Sequence, residues 1–129
     1  MHPRSSIPAR RKRILLVDDD IAAGNAIAQA LGDRYDVTMA RDGLEGVAMA
    51  AQVAPDLIIS DVTMPNLDGV SMVRRIREEH GSKAPVIFLT ALDSPTAVIA
   101  GIGAGARHYL TKPVDLNDLE KRIGRVLHA

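Results

Sequence analysis

The strongest constraint on the fold is a regular alternation of short apolar runs with longer amphipathic stretches. The apolar runs have the length of buried strands, and they lie at residues 14–17, 37–40, 57–59, 86–89 and 109–111. The stretches between them place apolar residues at helical spacing. Strands and helices that alternate in this way form a parallel sheet covered by helices on both faces. The pattern therefore predicts an α/β fold with five strands and five helices.

Capping signals mark the ends of the predicted helices. Asp42 and Asp68 stand at the N-cap positions of the second and third helices. Pro55 and Gly81 follow the ends of the same two helices. The five predicted helices cover residues 21–31, 42–53, 68–80, 94–106 and 115–127. The connections between the predicted elements are therefore short.

Charged and hydroxyl side chains follow four of the five predicted strands. They are Asp18, Asp19 and Asp20 after the first strand, Asp61 after the third, Thr90 after the fourth and Lys112 after the fifth. The carboxyl ends of parallel strands meet at one edge of a sheet, and ligands bind outside that edge. We therefore expect these side chains to converge on a single binding site.

Carboxylates gathered in one cleft repel one another unless a cation lies among them. Mg²⁺ prefers oxygen ligands and is commonly held by one or two carboxylates together with a phosphate oxygen. The chain has no cysteine, and its histidines show no metal-ligand spacing, so zinc or copper is not expected. A carboxylate can attack phosphorus to form an acyl phosphate, while Lys112 and Thr90 would stabilise the transferred oxygens. The site therefore predicts Mg²⁺-dependent phosphoryl transfer to a carboxylate.

Several of these residues also have a simpler structural interpretation. The run 18–20 could be an N-cap cluster at the start of the first helix. Lys112 could be a solvated surface lysine, and Tyr109 could be a core aromatic of the last strand. Because Asp61 adds a carboxylate from a separate strand, it favours a metal site over a cap.

Charge is divided unevenly along a chain whose formal net charge is zero. Residues 1–13 carry five basic residues and no acid, namely Arg4, Arg10, Arg11, Lys12 and Arg13. The remaining eleven basic residues stand against sixteen acidic ones, a formal charge of about −5. We predict a flexible basic tail over 1–13 and one domain over 14–129. The tail could be a solvated leader or a contact for nucleic acid or an anionic surface, whereas nucleic-acid binding by the domain is not expected.

Length and apolar content indicate the class of protein. A chain of 129 residues that is 47% hydrophobic and 25% charged fits one globular domain. Its apolar runs are shorter than the roughly 18 residues of a membrane span, and its N-terminus lacks the apolar stretch of a signal peptide. We therefore predict a cytoplasmic protein without membrane insertion.

Four motifs, in the order of the predicted strands, resemble the receiver domains of two-component response regulators, a family that includes single-domain chemotaxis regulators. They are Val17-Asp18-Asp19-Asp20, Ser60-Asp61-Val62-Thr63-Met64-Pro65 with Asp68-Gly69, Leu89-Thr90-Ala91, and Tyr109-Leu110-Thr111-Lys112-Pro113. The resemblance covers residues 14 to about 127. It implies a flavodoxin-like, doubly wound (βα)5 fold whose parallel strands have the order 2-1-3-4-5.

The resemblance also implies roles for the site residues. Asp61 resembles the phosphoacceptor, and Asp18 and Asp19 resemble the acidic pair that holds Mg²⁺, for which Mn²⁺ could substitute. Thr63 would lend its backbone carbonyl to the metal, and Lys112 would hold the phosphoryl group. The implied phosphoryl donor is a histidine kinase or a histidine phosphotransfer protein, and no separate substrate turnover is expected.

Thr90 and Tyr109 match the switch pair of the family. In the family the hydroxyl moves toward the phosphoryl group and the aromatic ring turns inward behind it. This changes the surface made by the fourth helix, the fifth strand and the fifth helix. The implied result is control of a downstream partner, an output domain or a second copy through that surface. Lys112-Pro113 resembles the cis peptide of the family.

Two other functions stay open. A degenerate receiver would act as a phosphorylation-independent protein-binding module. A haloacid-dehalogenase-like phosphatase would also use a strand-end aspartate with Mg²⁺, but Asp61-Val62-Thr63 lacks the second aspartate of such enzymes. Thr63 and Leu92 stand where polar or acidic side chains are frequent in receivers, which leaves the lifetime of an acyl phosphate open.

The predicted fourth helix, residues 94–106, has no charged residue and contains three glycines. Because each glycine costs a helix interior about 1 kcal/mol relative to alanine, this helix should be marginal. We hypothesise that it forms a mobile switch surface that docks a partner or a second copy through Ile99 or Ile102. The alternative is a short, irregular helix packed wholly inward.

Overall fold

The computed structural model describes residues 10–91 and 105–128. Its five strands are β1 (Arg13–Val17), β2 (Asp36–Ala40), β3 (Leu57–Asp61), β4 (Val86–Thr90) and β5 (Ala106–Thr111). They form one sheet in the order β2-β1-β3-β4-β5, and every neighbouring pair is parallel. The predicted fold class and strand order are confirmed.

Helices cover both faces of this sheet. They are α1 (Ile21–Leu31), α2 (Gly43–Val53), α3 (Gly69–His80) and a C-terminal helix (Leu116–His128). On one face, Met72 of α3 shares an apolar cluster with Phe88 of β4. On the other face, Ile27 of α1 and Leu119 of the C-terminal helix share a second cluster. None of the helices in the described part of the chain has the length and apolar content needed to cross a membrane.

The central strands are the most deeply buried part of the molecule. Every residue of β3 and of β4 is buried, because both strands have a neighbour on each side and helices above and below. The edge strands β2 and β5 are partly exposed. Asp61, the last residue of β3, is therefore a carboxylate at the end of a fully buried strand.

Aspartate side chains cap all four described helices, including the C-terminal one, where Asp115 accepts the Asp118 N–H at 3.1 Å. Asp42 and Asp68 accept hydrogen bonds of 2.8 Å from backbone N–H groups three residues later, as predicted. Asp20 does the same for α1 at 3.1 Å. The N-cap interpretation of the first acidic cluster is thus right for Asp20, and it leaves Asp18 and Asp19 for other roles.

The prediction for the segment before β5 is wrong at its end. Ala106, placed last in the predicted fourth helix, begins β5 and pairs with Val86. Gly105 precedes it with φ of 90°, a conformation that suits a turn and not a helix. The strand is also longer than the predicted 109–111. Its polar first half lies at a sheet edge, where the apolar pattern of a buried strand is not required.

The remaining part of the predicted fourth helix lies outside the described residues. This includes Ile99 and Ile102, so the hypothesis of an apolar docking surface there stays a prediction. Leu92, which precedes the predicted helix, also lies outside the described residues. Gly81 ends α3 in the left-handed conformation, with φ of 66°, as the sequence predicted.

Candidate functional site

Three predicted site residues lie together at the carboxyl edge of the sheet. Asp18 follows β1, Asp61 ends β3, and Lys112 follows β5. Lys112 Nζ lies 2.7 Å from Asp61 Oδ1 and 3.6 Å from Asp18 Oδ1. The Asp18 and Asp61 side chains are 0% and 5% exposed, whereas that of Lys112 is 33% exposed. The edge therefore holds two buried carboxylates beside one ammonium group.

Strand register explains why these side chains meet. β1 and β3 are in register at Val17 and Ser60, so the next residue of each, an aspartate, leaves the sheet at the same level. β4 and β5 are in register at Thr90 and Thr111. The next residue, Lys112, donates its backbone N–H to the Thr90 carbonyl at 2.9 Å. The hydrogen bonding of the sheet thus fixes where each functional group emerges.

The acidic residues have the chemistry and spacing of a site for a hard cation. Oxygen atoms of Asp18, Asp19 and Asp61 lie within 4.8 Å of one another. Asp18 Oδ1 accepts the Asp20 N–H at 2.9 Å, but its buried Oδ2 has no hydrogen-bond partner among the described residues. Asp61 Oδ1 has the Lys112 ammonium as its one close partner in that part of the chain, at 2.7 Å. Because a buried polar atom normally has a partner, these oxygens fit a divalent metal ion.

The site holds more acidic groups than basic ones, and this shifts their pKa values. Burial raises the pKa of Asp61 from 3.8 to about 8, and the neighbouring Asp18 carboxylate acts in the same direction, while Lys112 opposes it. Burial by itself lowers the pKa of Lys112, but the two carboxylates outweigh it and raise that pKa. The site therefore resists two ionised carboxylates unless more positive charge is supplied than Lys112 carries.

The family model of the response regulator receiver domain matches residues 14–124. This chain belongs to the response regulator receiver family. It is thus a receiver domain of two-component signal transduction, as the sequence motifs predicted.

Relatives of the receiver domain include response regulators of mycobacteria. The chain is 42% identical over 116 residues to response regulator MprA of Mycobacterium leprae, covering 89% of this chain and 50% of that protein. It is 40% identical over 116 residues to the transcriptional regulatory protein TrcR of Mycobacterium tuberculosis, covering 89% and 45%. The chain therefore spans about half the length of these curated relatives.

Solved structures show the same fold. The chemotaxis protein CheY4 of Vibrio cholerae superposes with a TM-score of 0.85 at 36% identity, covering 92% of this chain and all of that one. The receiver domain of the Francisella response regulator 1452 superposes with a TM-score of 0.80 at 33% identity, covering 91% and 97%. Both comparisons agree with the sheet order described above.

The remaining predicted residues of the receiver domain surround the acidic cluster. Thr63 is exposed, two residues beyond Asp61. Thr90 is buried, and its Oγ1 donates to the Ala91 carbonyl at 3.2 Å. Tyr109 is partly buried and stacks on Phe88 with ring centroids 5.9 Å apart, an inward position that suits both a core role and a switch role. Burial raises the pKa of the Tyr109 phenol.

The peptide bond between Lys112 and Pro113 is cis, the geometry that the resemblance implied. The two residues also line a cavity of about 480 Å³ between α1 and the loop after β5. Asp18 and Asp20 form part of the same wall. The buried Asp18 carboxylate can therefore be approached from the side of α1.

Sequence reasoning missed two residues that hold the Asp61 backbone. The buried Ser60 Oγ donates to the Asp61 carbonyl at 2.8 Å. Gly69 lies against the same carbonyl, and a Cβ added to it would overlap the carbonyl oxygen and lie 3.0 Å from Ser60 Oγ. The available signal was a glycine directly after the Asp68 cap, where no turn requires one.

Proposed function

We propose that this receiver domain accepts a phosphoryl group on Asp61 in a reaction that requires Mg²⁺. The observation that carries the proposal is the ion pair of Lys112 with a buried Asp61, next to a buried Asp18 oxygen that has no hydrogen-bond partner among the described residues. Metal-binding carboxylates and a nearby ammonium are the groups that phosphoryl transfer to an aspartate needs.

The positions of the side chains support the following course for the proposed transfer. The Asp61 carboxylate attacks the phosphorus of the donor, a new P–O bond forms, and the bond to the leaving group breaks. Mg²⁺, held by Asp18, Asp19, Asp61 and the Thr63 carbonyl, would supply charge neutralisation, and Mn²⁺ could replace it. Lys112 would then pair with a phosphoryl oxygen in place of Asp61 Oδ1.

Thr90 would couple phosphorylation of Asp61 to a conformational change at the surface. Its hydroxyl now donates to the Ala91 carbonyl and would turn to a phosphoryl oxygen, with the Tyr109 ring held inward against Phe88. The affected surface includes β5 and the C-terminal helix, where we propose that a downstream partner, an output domain or a second copy binds. A histidine kinase or histidine phosphotransfer protein is the proposed donor.

Two features argue against the alternative functions. Thr63 stands where a haloacid-dehalogenase-like phosphatase has its second aspartate, so we propose no turnover of a separate substrate. A degenerate receiver would need to lack part of the phosphorylation set, whereas Asp61, Thr90 and Lys112 are all present. The division into a tail over 1–13 and a domain over 14–129 stays a prediction, except that Arg13 begins β1 and so belongs to the sheet. The cytoplasmic location also stays a prediction.

Acetyl phosphate tests the proposal directly. We expect intact-mass spectrometry to detect one added phosphoryl group on the wild type with Mg²⁺, and none with a chelator. Asp61→Asn should abolish the addition, whereas Asp33→Asn, a matched change at an exposed acid, should not. Undiminished labelling of the Asp61 variant would show that the acceptor is another residue.

A further inference from the structure

The loop between β3 and α3, residues 62–68, is closed at its base. The Val62 carbonyl accepts the Gly69 N–H at 2.8 Å, and the Val62 N–H donates to the Leu89 carbonyl of β4 at 3.0 Å. The side chains of Val62 and Met64 are buried. Because this loop carries Thr63, its conformation decides where the carbonyl proposed as a metal ligand can lie.

The far side of the loop rests on α2. Asn66 has φ of 71°, and the Leu67 N–H donates to the Pro65 carbonyl at 2.8 Å, so the chain turns sharply there. Leu67 is partly buried and packs against the apolar cluster between the sheet and the α2 and α3 helices. The turn brings the Leu67 backbone against Gly43, the first residue of α2.

Gly43 has no room for a side chain. A Cβ added to it would overlap the Leu67 carbonyl oxygen and lie 2.8 Å from Leu67 Cβ. The Gly43 backbone is not in the left-handed region, so its conformation does not require glycine. Alanine would also favour the helix by about 1 kcal/mol. The contact with the loop is therefore the reason that the structure calls for glycine here.

Side-chain hydrogen bonds fix the first turn of α2, where it contacts the loop. Asp42 accepts the Glu45 N–H at 2.8 Å, and Glu45 Oε1 accepts the Arg41 N–H at 3.1 Å. The first of these bonds caps the helix, and the second ties the residue before the cap to the first turn, so together they hold the start of the helix in place. A side chain at position 43 would therefore displace the loop more readily than the helix.

We propose that Gly43 is a positioning residue for the metal site, acting through Leu67 on the loop that carries Thr63. The proposal rests on the proposed function, because it assigns the loop a part in binding Mg²⁺. Gly43 touches no reacting atom. Its bare α-carbon lets α2 hold the loop at the distance from Asp61 that a shared metal ion needs.

The test compares two glycines of the same helix. In Gly43→Ala we expect the Mg²⁺ dissociation constant, measured by calorimetry without any phosphodonor, to rise about tenfold, as when groups that orient metal ligands are lost. Gly46→Ala is the matched control, because its added Cβ would meet the flexible Met72 side chain and the Val17 methyl instead of the loop. It should leave the dissociation constant unchanged.

If Gly43 had a purely structural role, the phosphorylation rate of Gly43→Ala would stay low even at saturating Mg²⁺. We expect the phosphorylation rate of Gly43→Ala to return to the wild-type rate at saturating Mg²⁺, since only metal binding is impaired. Equal Mg²⁺ affinity of Gly43→Ala and the wild type would overturn the inference. So would an equal loss of affinity in the two alanine variants. If the wild type itself bound no Mg²⁺, the proposed function would fail first.

A second variant covers the case in which Gly43→Ala does not fold. Leu67→Ala keeps the glycine and removes the packing of the loop from the other side. We expect a several-fold weaker Mg²⁺ affinity, of the order seen for indirect metal-site contacts. Wild-type affinity in this variant, together with a lower melting temperature, would overturn the inference.

Discussion

The charged side chains at the two edges of the sheet differ in how completely their polar atoms are hydrogen-bonded. At the amino edge, Arg13 and Asp56 form a closed set: the Arg13 N–H donates to Asp56 Oδ2 and the Asp56 N–H donates to the Arg13 carbonyl, both at 2.8 Å. Arg77 donates to the carbonyls of Ser82 and Ala84 at 3.1 and 3.0 Å. The charged groups of this edge thus have directed partners.

At the carboxyl edge, Asp18 and Asp61 are more deeply buried and less well satisfied. Two carboxylates share Lys112, and Asp18 Oδ2 has no hydrogen-bond partner in the described part of the chain. Burying carboxylates without enough partners lowers the free energy of unfolding. An edge whose polar atoms all have partners does not carry this cost. The difference indicates that the amino edge stabilises the fold, whereas the carboxyl edge is arranged for a ligand.

The largest expected effect is at Asp61, measured without metal. Because its pKa is about 8 in the fold and 3.8 ordinarily, the folded protein holds this proton more tightly, and stability falls as pH rises between those values. Asp61→Asn should therefore be more stable than the wild type at pH 8, by several kcal/mol. Urea unfolding of both proteins in a chelator gives the comparison.

The gain from Asp61→Asn should shrink as the pH is lowered toward about 5, where the carboxyl of the wild type is protonated in the fold. Mg²⁺ should stabilise the wild type more than the variant, since it binds the folded form. A difference that does not change with pH would contradict the proposed electrostatic cause.

Arg77→Ala at the amino edge should lower the free energy of unfolding by about 2 kcal/mol, because two backbone carbonyls lose a charged donor. Arg74→Ala, an exposed arginine one turn earlier, is the control and should change the free energy of unfolding by less than about 0.5 kcal/mol. Phosphorylation of both variants should be normal. Similar stability of the two variants would refute the structural role of this edge.

With a chelator present, the free energy of unfolding of Lys112→Ala should be about 1–2 kcal/mol lower than that of the wild type. The reason is that the substitution leaves two buried carboxylates without their ammonium partner. The loss should be smaller with Mg²⁺, which replaces the missing charge. Thermal unfolding with and without Mg²⁺ measures it. An identical loss in both conditions would mean that Lys112 stabilises the fold by packing.

The smallest expected effect belongs to neither edge. Gly124 lies within the C-terminal helix, and a Cβ added there would meet no atom of the described residues within 4 Å. Gly124→Ala should therefore stabilise the protein by roughly 0.5–1 kcal/mol through helix propensity and reduced chain entropy. Denaturant unfolding should show this gain with no change in Mg²⁺ affinity, and a destabilised variant would contradict the open space.

The sequence predicted the convergence of the site because strand ends are a local property. A short apolar run followed by an aspartate appears at both Asp18 and Asp61, and parallel topology brings such ends to one edge. The same reasoning placed Lys112 and Thr90. It was wrong at Ala106, because a polar edge strand after a glycine-rich stretch carries no pattern that separates it from an irregular helix.

Local pattern could not separate the three consecutive acids. In the fold, Asp18 is buried under the sheet edge, Asp19 is exposed beside it, and Asp20 turns away to cap α1. Their neighbours in the sequence are nearly the same. What differs is the direction in which the chain leaves β1, and this is set by the packing of α1 on the sheet.

The sequence by itself determined the order of the elements, their caps and the residue types at the strand ends, because period and capping depend on near neighbours along the chain. Only the tertiary structure decided which carboxylate oxygens are left without partners and that Gly43 lies against Leu67. Both depend on how closely separate elements approach. That distance is set by the packing of α2 and of the loop on a shared core, which no local pattern records.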